Sequence, residues 1–148
     1  MNCLECNNHL SYIEHKNSFD QYGVELCKQH KVRIDKLVKL RETPKESIQL
    51  YYGLKAVGVN AMLEWWDGKK SVDIAISRVK LNIEIDTELN TISHEQAILD
   101  LEEAMNSFKN GFTTIRIPHT LIKYYLNKTV ANIVGIIEGL KENVKMIR

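Results

Sequence analysis

The chain has little of what marks secreted, membrane or repetitive proteins. No apolar run approaches the ~20 residues needed to cross a bilayer, so no membrane span is expected. The N-terminus, MNCLECNNHL, lacks the basic-then-apolar layout of a secretory signal, and a cytoplasmic location is the expectation. Internal repeats and low-complexity tracts are missing, and proline occurs only twice in 148 residues. Charge of one sign is also missing. Twenty Lys and Arg stand against nineteen Asp and Glu, a net charge of +1, so bulk charge does not announce a nucleic-acid partner. Cysteine is scarce, with three residues all before position 28, and a disulfide is not expected in a reducing compartment.

What is present suffices for one compact domain, or one domain with a small appendage. The few cysteines are patterned. Cys3 and Cys6 form C-x2-C, and after twenty residues Cys27 and His30 form C-x2-H. Two such knuckles supply the four soft or borderline ligands of a tetrahedral Zn²⁺ site. His9 and His15 are alternative fourth ligands. The intervening residues fit a small β-hairpin or loop. Four protein ligands leave no position for water, so the site reads as structural. Residues 1–31 are too few to bury a core without metal.

Charge is unevenly spread. Lys28, Lys31, Arg33, Lys36, Lys39 and Arg41 crowd one stretch, either a solvated helix face or a grip on a nucleic-acid backbone. Leu81 to Ala104 holds seven Asp and Glu and no Lys or Arg.

Ser71 to Asp86, SVDIAISRVKLNIEID, reads as two strands with one oily face each. Alternation sends Val72, Ile74 and Ile76 one way and Asp73 the other; it likewise separates Leu81, Ile83 and Ile85 from Asn82, Glu84 and Asp86. If the strands pair as a hairpin, Asp73, Glu84 and Asp86 converge. Carboxylates so close repel unless a cation sits among them, and hard oxygen ligands suit Mg²⁺ or Mn²⁺. The bland alternative is a solvated outer sheet face.

The remaining elements follow from pattern. Lys31 to Arg41 reads as a basic helix or linker. Thr43 to Glu46 reads as a helix start with Thr43 as N-cap, and that helix stops near Gly58. Val59 to Trp66 reads as a strand followed by an Asp67-Gly68 turn. Glu88 to Ser93 reads as loop. His94 to Asn110 reads as a helix, with Ala97, Leu101, Ala104, Met105 and Phe108 at helical spacing and Asn110-Gly111 at its C-terminal end. Phe112 to Ile117 reads as a strand broken by Pro118. Leu121 to Leu140 reads as an amphipathic helix. Trp65 and Trp66, adjacent on a strand, face opposite ways, so at most one lies outside. Arg116 shares the polar face, where it can contact a phosphate or neutralise the carboxylates. His94 belongs to an N-cap region, and His119 ends the strand, with a substrate contact as its alternative role.

The order helix, three strands, helix, strand, helix, together with D-x10-E-x-D, resembles the PD-(D/E)XK nuclease superfamily, nearest to small endonuclease-like domains related to very-short-patch-repair endonucleases. YGVELC, LEWWDGKKSVDIAI, LNIEID, QAILDLEEAMNSFKNG and TTIRIP carry the likeness over most of residues 1–140. The resemblance implies an α/β fold: a restriction-endonuclease-like core over 46–148, a basic linker or helix over 32–45 and a zinc-binding module over 1–31. It implies Asp73 as the metal-bridging aspartate, Glu84 as the second carboxylate and Asp86 where other branches have lysine. Glu46, Glu64 and Gln96 match supporting positions, and Asp100 lies one turn beyond Gln96. The chain departs at Ser71, Thr87, Asn90, Glu102 and Glu103, where relatives carry His, Gly, His and basic residues. Lys69 and Lys70 are candidates for the missing cation.

The implied activity is a cytoplasmic, Mg²⁺- or Mn²⁺-dependent endonuclease acting on DNA. Two alternatives stand beside it. One is a catalytically inactive nuclease fold, phage or mobile-element encoded, that binds or inhibits a protein partner. The other is a branched-DNA resolvase, which needs a homodimer.

Overall fold

Alternating side chains build the centre of the molecule. In the computed structural model, which describes residues 1–68, 70–87 and 93–147 (of 144–147 only the backbone), β1 is Met62–Trp66, β2 Ser71–Ile76, β3 Leu81–Asp86 and β4 Thr113–Pro118. The sheet order is β1-β2-β3-β4. β1 to β3 form an antiparallel meander, and β4 lies parallel to β3 with Glu84 opposite Arg116. The helices are α1 Tyr12–Tyr22, α2 Lys28–Arg41, α3 Lys45–Ala56, α4 His94–Lys109 and α5 His119–Ile147. A parallel partner needs a crossover, and α4 supplies it. The fold is α/β, and from α3 onward the helices and sheet strands follow the order expected from the sequence. No helix among the described residues is long and apolar enough to cross a membrane.

The oily faces of β2 and β3 are buried as alternation requires: Ile74 and Ile83 sit opposite one another, each with 0 % exposure. Ile48 and Leu54 of α3 and Ile122, Ile133 and Ile137 of α5 belong to the same apolar cluster. Leu10, Leu26 and Ile34 also belong to it, so the N-terminal segment shares one core with the sheet. α2 runs through position 31, placing His30 and the basic stretch on one helix.

Several local readings change. The gap between the cysteine pairs is a helix, not a hairpin or loop. Ser11 and Glu14 form a reciprocal capping box at the start of α1, and Gly23 closes it at φ +73°. Pro44, not Thr43, caps α3; the Thr43 hydroxyl instead donates to Glu64 Oε1 (3.0 Å). β1 begins at Met62 rather than Val59. His119 opens α5 rather than merely ending the strand. Trp66 is the outward tryptophan, 55 % exposed, while the Trp65 ring lies tilted against Phe112, 5.5 Å between centroids. Lys69, Asn90 and the loop expected from Glu88 lie outside the described residues, save Ser93, whose hydroxyl caps α4. The side of α4 that carries Asp100 and Glu103 lies toward Arg116 of β4. Leu101, Met105 and Phe108 are exposed, because the helix turns its polar side to the sheet.

Candidate functional site

Two constellations of chemical groups stand out. The first lies at the N-terminus. Cys3 and Cys6 flank a tight turn in which the Asn7 N–H donates to Cys3 O (2.9 Å) and the Glu5 N–H to Cys3 Sγ (3.4 Å). Asn7 takes φ +62° to close it. Cys27 is the N-cap of α2, and His30 lies in the first turn of that helix. All four ligand atoms lie within 4.8 Å of one another. Cys3 Sγ stands 3.6 Å from His30 Nδ1, Cys6 Sγ 3.9 Å from Cys27 Sγ, and Cys27 Sγ 3.1 Å from His30 Nδ1. A tetrahedral ion with Zn–S near 2.3 Å and Zn–N near 2.0 Å has ligand–ligand edges of about 3.5–3.8 Å, so the cluster fits one ion. A disulfide needs sulfurs at about 2.05 Å, and all three cysteines are free. Burial alone would raise the Cys3 thiol, but backbone N–H groups of Cys27, Cys6 and Glu5 bring it down to about 6, toward the thiolate a metal needs. The alternative ligands fall away. His15 Nδ1 faces Glu25 Oε1 at 3.3 Å, and His9 sits in a short bridge with Asn2.

The second constellation lies on the polar face of the sheet. Because Ile74 pairs with Ile83, Asp73 and Glu84 are the next facing positions. Asp73 Oδ2 accepts the Ile85 N–H at 2.8 Å, which aims its carboxylate along β3. Glu84 is only 13 % exposed. Burial, then the Asp73 charge, pushes Glu84 up to about 7, with Lys70 offsetting part of the rise. Lys70 Nζ lies 3.3 Å from Glu84 Oε1 and 2.8 Å from Glu103 Oε2. Burial pulls Lys70 down, but Glu103 and Glu84 outweigh it and hold the ammonium above its ordinary range.

Asp86 does not join this pair. Its Oδ1 turns to Arg116 Nη1 at 3.3 Å. Among the described residues, the cysteine–histidine cluster is the one group of three or more such side chains with ligand atoms mutually within 4.8 Å. The expected three-carboxylate convergence is therefore a pair plus a neighbour. The physical reason is the β3–β4 register, which sets Arg116 beside Glu84 and within reach of Asp86. The same guanidinium reaches Asp100 Oδ1 (3.3 Å) and Glu103 Oε2 (3.6 Å) of α4. Gln96 Nε2 donates to Asp100 Oδ1 at 2.9 Å, so Gln96 touches the network through Asp100 rather than the carboxylate pair directly.

Glu64 and Glu46 have other surroundings. Glu64 takes φ +54° inside β1, a left-handed conformation that a side chain resists. Its carboxylate accepts from Thr43 Oγ1 (3.0 Å) and Ser71 Oγ (2.6 Å), holding the α3 start to β2. Glu46 sits half-buried in the first turn of α3, outside the network among the described residues. Between α4 and the sheet lies a cleft of about 360 Å³, lined by Trp65, Phe112, Asn82 and Lys70 among others. Sequence reasoning missed Glu103 as a partner of both cations. It stands where positive charge was expected, and its one usable signal is its spacing from Asp100, one turn of α4 away.

Compared with known proteins, the chain matches no family model and no curated protein sequence.

Proposed function

We propose that the protein is a divalent-metal-dependent endonuclease acting on DNA, with a structural zinc at Cys3, Cys6, Cys27 and His30. One observation carries the enzymatic reading: Asp73 and Glu84 side by side on neighbouring strands, with Glu84 held near 7 by burial and by its neighbour. Two carboxylates with that mutual cost gain most from a shared hard cation. Asp73 and Glu84 would hold Mg²⁺ or Mn²⁺ there, and the ion would supply an activated water and positive charge toward a scissile phosphate. The chain's own groups do the rest. The Ile85 N–H orients Asp73, and Lys70 keeps its proton beside Glu84, a cation for a phosphate oxygen. Arg116 holds Asp86 and tethers α4 over the site. The exposed lysines of α2 favour backbone contacts, which position a duplex without reading its sequence.

A second reading is favoured by the ion pairs. Lys70 and Arg116 already bridge Glu84, Glu103, Asp86 and Asp100, so a site satisfied without metal suits a protein that binds a partner and no longer cleaves. The experiment is incubation of the purified chain with supercoiled, linear and branched DNA plus Mg²⁺ or Mn²⁺, beside Asp73→Ala. Cleavage lost in the variant supports the enzyme. Cleavage equal in both, or none in either together with no saturable Mn²⁺ binding by calorimetry, rejects it in favour of the binding protein.

A further inference from the structure

α4 is an amphipathic helix facing the wrong way for a monomer. At 100° per residue, Gln96, Asp100, Glu103 and Ser107 share one side, and Ile98, Leu101, Met105 and Phe108 lie about 150° around from them. The first side faces the sheet, through Asp100 and Glu103 to Arg116 and through Ser107 into the cleft. The second is left to solvent: Ile98 is 57 % exposed, Leu101 72 %, Met105 46 % and Phe108 71 %. No residue of this helix is buried. Steps of three, four and three residues separate these side chains, the spacing of a coiled-coil seam.

We infer that this face is the seam of a two-fold dimer in which α4 packs antiparallel on α4 of a second copy. Three features select that occupant. The stripe is self-complementary: reversed on itself, Ile98 meets Phe108 of the other copy and Leu101 meets Met105. The flanking charges match under the same operation. Glu95, in the first turn, falls beside Lys109, in the last, on both sides of the axis. Glu102 meets its own copy near the axis and opposes the pairing once, against two favourable pairs. On the other flank Ala97 and Ala104 leave the helices free to approach closely. Finally, the area is adequate. The four side chains expose roughly 500 Å² per copy, at the upper end for a monomer's largest apolar patch. A pair that buries all of it removes about 1,000 Å² from water, the low end for a specific interface, which fits a weak, concentration-dependent dimer. The dimer does not rest on the nuclease reading. It does place two carboxylate sites on either side of one axis, each tied to the seam helix by Arg116.

The test is sedimentation velocity and light scattering of the full, zinc-loaded chain across the micromolar range. The wild type is expected to be a concentration-dependent dimer. L101E/F108E is expected to be a monomer with unchanged far-UV circular dichroism, since both positions are exposed in the single chain. K109E is expected to weaken dimerisation at least ~10-fold, with E95K/K109E restoring it, because only the antiparallel register pairs those two positions. E102Q is expected to tighten it. A wild type that stays monomeric throughout overturns the proposal, and so does a dimer that survives L101E/F108E. A charge swap that fails to restore K109E overturns the antiparallel seam. None of these outcomes depends on cleavage of DNA.

Discussion

Glu84→Gln isolates the electrostatics of the carboxylate pair. In the folded chain Glu84 rises from an ordinary 4.5 to about 7, first through burial and then through the charge of Asp73. Each pH unit is ~1.4 kcal/mol, so ionising Glu84 costs about 3 kcal/mol more in the folded than in the unfolded chain. Partial solvent access reduces the working figure to about 2 kcal/mol. The sign follows from the direction. A carboxyl raised by folding leaves stability intact below pH 4.5, and that stability is lost as pH climbs through 7. Glutamine stays neutral and loses nothing. The advantage of Glu84→Gln over wild type should therefore grow by about 2 kcal/mol between about pH 4.5 and pH 8. Urea unfolding followed by circular dichroism, in buffers without added divalent cation, measures it. A difference that stays flat across this window, or that grows in favour of the wild type, refutes the electrostatic account. Repeating the pH 8 measurement with Mn²⁺ tests the site itself. The wild type should be stabilised and Glu84→Gln should not; equal response of both removes Glu84 from the proposed ligands.

Three further outcomes are expected. Stripping metal with a strong chelator should release one zinc per chain by elemental analysis and shift the amide resonances of α1 and the first turns of α2; an unchanged spectrum refutes the site. Because Leu10, Leu26 and Ile34 share the sheet's core, global stability should also fall. At position 64, where φ is +54°, Glu64→Gly should be more stable than Glu64→Ala by about 1 kcal/mol, since both lose the bonds from Thr43 and Ser71 and only alanine keeps the backbone strain. Equal stabilities in denaturant would mean that β1 relaxes there. Lys70→Met should move the Glu84 titration to still higher pH, read by carboxyl ¹³C chemical shifts, because the ammonium at 3.3 Å favours the charged form; no movement would show that this ion pair does not form in solution.

Period-two and period-three-to-four patterns were legible because local geometry enforces them. The faces of β2 and β3, the α3 and α5 cores and the element order all follow from alternation and helical spacing in the chain. The cysteine–histidine set was legible for a similar reason, since two short spacings each form a local knuckle. The helix between them carries its own local signals in Ser11, Glu14 and Gly23, but at eleven residues it is short and weakly amphipathic, so periodicity does not announce it. Glu64 was hidden by context, because nothing in MLEWW announces a left-handed residue inside a strand.

What the chain by itself determined was therefore which residues share a face: carboxylates on one side of two strands, apolar groups on one side of α4, sulfurs in two knuckles. What only the tertiary structure decided was where each face points and which charge answers which. Asp86 goes to Arg116 because a parallel register, set by residues far apart in sequence, puts that guanidinium there. α4 presents its apolar stripe to solvent because its opposite side is already committed to Arg116 and Lys70. Periodicity is a property of neighbours along the chain. Orientation is settled by competition among distant partners, and it becomes definite only when they meet.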